Sequence, residues 1–372
     1  MSAYIRYFGY FVYLFILWVY ARRNPRQVTV KERIGEKTVT RYNWIFALIV
    51  VAPLIYLAAT RGERMGDTAV YMQTLRDAPS SLGAIFDYLG GFRKEYLFYS
   101  FTAVFKSFFG YKPVAFFLVI ALGQALLMTV TLRKYSCNLL VSFFLFFASS
   151  DFISYMNNGI RQFIAVCLIF SAARFIFEHK YIKAIAIALL ASLFHETALL
   201  MIPFIIIVQG KPWNKSTTIV LLFALATLAF VGTFTDVLES MLSETSYSSI
   251  VENWQSWNDD GTNPIRVVVY CVPAIISLIG LKHIRETNDP IINVCTNMSV
   301  ITAGLYIISM ITSGIYMGRL PIYTSVFSNC ILLPWEVEHI FNKRSSDFLI
   351  RMMIVCYILF YYYQIHYIWG AV

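Results

Sequence analysis

Apolar positions gather in long blocks along this chain, at about 4–20, 44–60, 113–132, 137–156, 160–178, 182–208, 216–233, 265–281, 291–313, 318–335 and 347–363. Most come close to the roughly 20 residues that an α-helix needs to cross a 30 Å hydrocarbon core. Short polar, mostly basic segments separate them. The pattern predicts an all-α, polytopic integral membrane protein, a single membrane-embedded domain with about ten full transmembrane helices. The first block runs directly into Arg22 and Arg23 with no small-residue cleavage site, so it reads as a retained anchor.

Composition removes the soluble alternative. Of the 372 residues 58% are apolar and 14% charged, against about 25% charged in soluble domains. The net charge of +9 is spread over short loops rather than gathered in one patch, which argues against a nucleic-acid partner. The six cysteines include no C-x-x-C pair and sit mostly in apolar runs. They read as buried free thiols, neither a disulfide framework nor a metal site. No Walker-type phosphate loop and no Rossmann glycine pattern occurs, and no D-x-D motif of the kind that holds a nucleotide-sugar metal. No cofactor or metal is expected.

Lys and Arg in the loops set the orientation. Arg22, Arg23, Arg26, Lys31, Arg33, Lys37 and Arg41 follow the first run, which places that loop in the cytoplasm. Segment 61–112 then lies outside as a large loop, with an interfacial helix in its aromatic second half. The 27-residue run 182–208 is either one long tilted helix or a kinked, re-entrant hairpin turning at Phe194, His195 and Glu196. The hairpin puts every later basic loop inside. It also puts 234–263, with six acids and no Lys or Arg, outside.

Ionisable groups inside apolar runs cost about 2.5–3.5 kcal/mol each even on lenient scales, so each needs a reason. His195 and Glu196 lie mid-run, Arg161 opens a run, and Arg319 lies at the start of another. With the hairpin, all four face the outer side, together with Arg64, Asp67, Tyr71 and Glu95 of the large loop. Taken singly, His195 fits a satisfied core histidine, the arginines fit snorkelling anchors, and Asp67 fits a helix cap. Taken together they form an outward cavity suited to a lipid diphosphate, because guanidinium groups fork onto phosphate oxygens and stay charged when partly buried.

The motifs R-x-G-D-T-x-x-Y at 64–71, E-Y-L-F at 95–98, N-G-I-R-Q-x-I-A at 158–165, A-S-L-F-H-E-T-A-L at 191–199 and G-R-L-P-I-Y at 318–323 occur in that order. On these motifs the chain resembles the EpsG family of Wzy-like polysaccharide polymerases. The resemblance implies a GT-C-like fold and an enzyme on the outer face of the bacterial cytoplasmic membrane. Such an enzyme joins oligosaccharide repeat units carried on undecaprenyl diphosphate, with inversion and without metal, for an exopolysaccharide, capsule or O-antigen. It implies His195 as base or acceptor-orienting group, with Asp67 or Glu95 as rival bases. Arg161 and Arg319 would hold the diphosphate. Arg64, Tyr71, Asn158, Gln162 and Tyr323 would complete the pocket with Glu196, which stands where the family has a small residue. A flippase and a chain-length regulator are the partners such a pathway implies, besides the lipid-linked donor and acceptor and the bilayer. The rival functions are a membrane-bound O-acyltransferase, whose histidine would open to the cytosol, and a polysaccharide or lipid transporter.

Overall fold

The computed structural model describes residues 7–34, 37–230, 237, 240, 261–312, 314 and 317–368. Most of the acidic segment 234–263, with Trp254 and Trp257, lies outside the described residues. The chain divides into two compact units, Met1–Ile202 with Lys343–Val372, and Pro203–Asn342.

The first unit begins with helix α1 (Phe8–Arg23) and the short α2 (Pro25–Val28), followed by the antiparallel hairpin β1 (Thr29–Ile34) and β2 (Lys37–Tyr42). Helices α3 (Trp44–Ala59), α4 (Thr68–Asp77), α5 (Ile85–Gly90), α6 (Tyr96–Phe109) and α7 (Pro113–Tyr135) come next. Then come α8 (Leu139–Ala148), α9 (Asp151–Asn157), α10 (Ile160–Ser171), α11 (Ala173–Phe177) and α12 (Tyr181–Ser192). A 3₁₀ turn (Glu196–Leu200) leads into α13 (Met201–Ile207), which carries the chain into the second unit. There follow α14 (Lys215–Ala229), α15 (Pro264–Ile279), α16 (Leu281–Thr287), α17 (Pro290–Met310), α18 (Ile322–Phe327) and α19 (Leu333–His339). Helix α20 (Lys343–Tyr363) belongs to the first unit again.

In the first unit α3 packs on α7, α7 on α10, and α10 on α12. The side chain of Asn43 accepts the Phe46 N–H at 2.8 Å and starts α3. One face of that helix buries Ala47, Val50, Val51 and Leu54, while Ile45, Leu48, Ile49 and Tyr56 remain exposed. A helix that is apolar all round needs an apolar surrounding on its outer face too. In the second unit Asn297 of α17 is a buried bracket. Its amide donates to the carbonyls of Val208 at 2.8 Å and Lys211 at 3.0 Å, and its carbonyl accepts from Thr217 Oγ1 at 3.3 Å.

The all-α expectation holds apart from the β1–β2 hairpin. Among the described residues three helices are long and apolar enough to cross a membrane singly: Pro113–Tyr135, Pro290–Met310 and Lys343–Ile368. Two bent pairs raise this to five, α8 with α9 at 72° and α15 with α16 at 70°. Other apolar runs form helices of 10–17 residues, such as α3, α10, α12 and α14. Run 137–156 is therefore two helices. Ser149 turns its hydroxyl back onto the Leu145 carbonyl at 2.6 Å, and Ser150 sits at φ 65°, where an α-helix cannot continue. Run 182–208 breaks where the sequence places its turn, with His195 in extended conformation (φ −158°, ψ 121°).

The basic loop expected after the first run is the ordered hairpin, clipped to the last turn of α7. Arg133 pairs with Glu32 and donates to the Tyr42 carbonyl at 2.7 Å, while Arg41 reaches both Glu32 at 3.2 Å and the Lys134 carbonyl at 2.7 Å. The cysteines are all free, but only Cys167, Cys295 and Cys330 are buried, and Cys137 and Cys356 are exposed. The reading of buried thiols fails for those two because Cys137 lies in the linker between α7 and α8 and Cys356 on an unpacked face of α20.

Candidate functional site

The candidate residues of the first unit meet where α4, α6, α10 and the break after α12 come together. An apolar cluster supplies the floor: Tyr71 and Leu75 from α4, Phe98 and Phe105 from α6, Phe116, Phe117 and Ile120 from α7, and Ile160 from α10. Phe194 packs against it, which anchors the residue next to His195. The Leu97 N–H donates to the Leu193 carbonyl at 3.1 Å, tying the start of α6 to the same break.

Glu95 is the hub. It caps α6 at φ 62°, a left-handed conformation that glycine adopts freely and other residues adopt at about 1–3 kcal/mol. Its side chain is only 6% exposed. One carboxylate oxygen pairs with Arg161, and the other lies 3.7 Å from His195 Nε2. Burial raises the Glu95 carboxyl above its ordinary range, and the neighbouring Arg161 and Lys94 oppose that rise without cancelling it. A carboxyl in this state binds a proton more readily than a solvated one.

Arg161 also donates to the Tyr99 hydroxyl at 3.2 Å, and its guanidinium carbon lies 6.0 Å from the Tyr71 ring and 5.9 Å from the Phe98 ring. His195 Nδ1 is 2.7 Å from Thr197 Oγ1, and Gln162 donates to the same oxygen at 3.4 Å. Glu196 accepts from Lys94 at 2.8 Å.

The 61–67 loop flanks this hub. Tyr71 is buried and donates from its hydroxyl to the Asn158 carbonyl at 2.9 Å. Gly66, at φ +50°, lies so close to Asn158 that a Cβ there would fall 1.6 Å from Asn158 Oδ1. That contact explains the glycine within the 64–71 motif. Arg61 holds the loop from behind. It stacks on Phe117 at 3.8 Å and donates to Thr68 Oγ1 at 3.1 Å and Asn157 Oδ1 at 3.3 Å. Arg64 and Asp67 are exposed on this loop. Asp67 stands at the N-cap position of α4 with no side-chain cap bond, so the plain capping role weighed for it is absent.

The structure thus gathers Tyr71, Glu95, Asn158, Arg161, Gln162, His195 and Glu196. Arg319 and Tyr323 belong to the second unit. Arg319 is exposed on the turn Met317–Arg319, and Tyr323 is buried in α18. Sequence reasoning missed Arg61, Lys94, Tyr99 and Thr197. Lys94 and Thr197 each adjoin a residue already singled out, which was the one signal available. Among the described residues no group of three or more His, Cys, Asp or Glu side chains is placed to hold a metal ion.

No curated protein and no solved structure gives a significant match to this chain. The model of the EpsG family matches residues 44–370, nearly the whole length and every element of the site. With that match, the chain belongs to the EpsG family.

Proposed function

We propose that this protein is a membrane glycosyltransferase, a polymerase that joins oligosaccharide repeat units carried on undecaprenyl diphosphate at the outer face of the bacterial cytoplasmic membrane. Family membership supports polysaccharide polymerisation in general. The single observation that carries the finer reading is the convergence of Glu95, Arg161 and His195 from three separate elements onto one point.

The acceptor sugar hydroxyl attacks the anomeric carbon of the donor. The new C–O bond forms as the bond to the diphosphate breaks, and the electron pair leaves with the diphosphate. A hydroxyl oxygen about 2.8 Å from both Glu95 Oε1 and His195 Nε2 closes a triangle on their 3.7 Å separation. Glu95, with its proton affinity raised by burial, takes the proton, and His195 orients the hydroxyl from its Nε2 side. Thr197 occupies the opposite ring nitrogen. Arg161 stabilises the charge growing on the leaving diphosphate, the task for which a guanidinium fork is suited. Attack from the face opposite the leaving group inverts the anomeric centre. Arg319 and Tyr323, of the second unit, are carried from the sequence motif as candidate substrate contacts. Arg64 and Asp67 on the exposed loop are placed for contacts with the glycan.

The test is deletion and complementation, reading lipid-linked intermediates. Loss of the protein leaves single repeat units on the lipid at the outer face. Arg161→Ala or Arg319→Ala abolishes long polymer while the protein stays in the membrane, and full-length chains from either variant remove that arginine from the substrate contacts. Accumulation of the single units on the cytoplasmic leaflet instead would mean a transporter.

A further inference from the structure

Two cation–carboxylate pairs sit side by side in this site, and one member of each comes from the consecutive residues Lys94 and Glu95. Lys94 and Glu95 follow one another ahead of α6, and His195 and Glu196 follow one another after α12. Glu95 holds Arg161, and Glu196 holds Lys94 at 2.8 Å. The charges of the four groups cancel, so a dianionic ligand is attracted only if it takes over the cations from the carboxylates.

Lys94 is the more easily taken. Its side chain is 58% exposed and that of Glu196 is 32% exposed, and a solvated pair of this kind is held by about 0–1 kcal/mol. The lysine ammonium is a point charge with three donors on a flexible four-carbon stem, able to turn from one acceptor to another. It also lies near enough to act electrostatically on Glu95, the residue that pairs with Arg161. Arg161, two-thirds buried and fixed by Glu95 and Tyr99, has the geometry of a permanent fork.

We propose that Lys94 is a phosphate-binding residue of this site, taking the second phosphate of a polyprenyl diphosphate whose first phosphate is held by Arg161, and that Glu196 is its placeholder in the ligand-free state. This rests on the polymerase reading given above and adds the residue that distinguishes a diphosphate from a monophosphate.

The experiment compares binding of farnesyl diphosphate and farnesyl monophosphate to the purified full-length protein in nanodiscs. The wild type prefers the diphosphate by roughly tenfold, the worth of one charge-assisted hydrogen bond. Lys94→Ala removes that preference and leaves monophosphate binding in place, and Lys94→Arg restores most of it. Glu196→Gln frees the ammonium and tightens diphosphate binding. Retained preference in Lys94→Ala overturns the proposal. So does a Glu196→Gln variant that loses diphosphate affinity as Lys94→Ala does, because Lys94 would then act only through the ion pair. Failure of the polymerase reading shows elsewhere, as single repeat units accumulating on the cytoplasmic leaflet when the protein is deleted, and leaves these binding ratios untouched.

Discussion

Replacing Glu95 by glutamine keeps the shape of the side chain and removes its charge, which separates the two jobs assigned to it. The stability cost follows from the pair it forms. Breaking one partner of a fully buried ion pair costs about 3–5 kcal/mol, but the Arg161 side chain is 32% exposed, and water can solvate part of the abandoned guanidinium. Burial already disfavours the ionised carboxyl, so the lost pairing is largely offset and the net cost stays below about 1 kcal/mol. The glutamine carbonyl still accepts from Arg161, so the protein remains folded in the membrane with a modestly lower unfolding temperature. Activity responds more strongly, because a positioned general base contributes about 10²- to 10⁴-fold. The assay is single-turnover polymerisation in proteoliposomes alongside thermal unfolding in the same lipid. The pH profile adds a sign. Burial lifts the Glu95 carboxyl above its ordinary value of 4.5, so the neutral form is favoured in the folded protein. The base is ionised, and the rate is full, above that raised value. Activity falls as pH drops through it, and Glu95→Gln lacks this acidic limb. The stability effect runs the other way. Burial of the ion costs nothing below the unfolded-state value and is felt as pH rises through the folded one. A glutamine variant that polymerises at the wild-type rate, with the same acidic limb, refutes the assignment of Glu95 as base.

Other consequences are equally direct. Gly66→Ala forces a Cβ into Asn158 at φ +50°, whereas Gly62→Ala meets nothing within 4 Å. The first variant loses about 2 kcal/mol and most polymer, and the second unfolds at the wild-type temperature, as thermal denaturation in detergent will show. Arg161→Lys keeps the charge but cannot serve Glu95 and Tyr99 together, and its single-turnover rate drops roughly tenfold to a hundredfold. Hydrogen bonding to Arg133, and then to Arg41, holds the Glu32 carboxyl below its ordinary value of 4.5. The hairpin clip is therefore intact above that value and is lost as pH falls through the lowered one. Glu32→Gln opens it at neutral pH, which is measured as faster tryptic cleavage at Lys31 in the detergent-solubilised protein.

How much of this was legible beforehand depends on the range over which each feature is determined. The apolar runs were legible because burying apolar side chains in lipid is a property of each segment alone. The break at His195 was legible because an imidazole and a carboxylate in mid-run are tolerable only where the helix gives way. The number of complete spans was not, since Ser149 and Ser150 bend a helix by hydroxyl bonding and a left-handed φ that composition does not register. The hairpin was hidden for a related reason. Its stability comes from Glu32 meeting Arg133 across about a hundred residues, so locally it reads only as basic loop. The same distinction separates the site residues. Arg161 and His195 stood out because each is costly in an apolar run, and a costly group draws attention without its partner; Glu95 stood out only through the E-Y-L-F motif of the large loop. Lys94 and Thr197 are inexpensive, one a solvated lysine and the other a hydroxyl that any helix turn accommodates. Their importance comes from what stands opposite them, 102 residues away for Lys94 and two residues away for Thr197. Even the short separation was invisible, because the Thr197 hydroxyl reaches Nδ1 only when His195 is extended, and that conformation is imposed by the break and by Phe194 seated in the apolar floor.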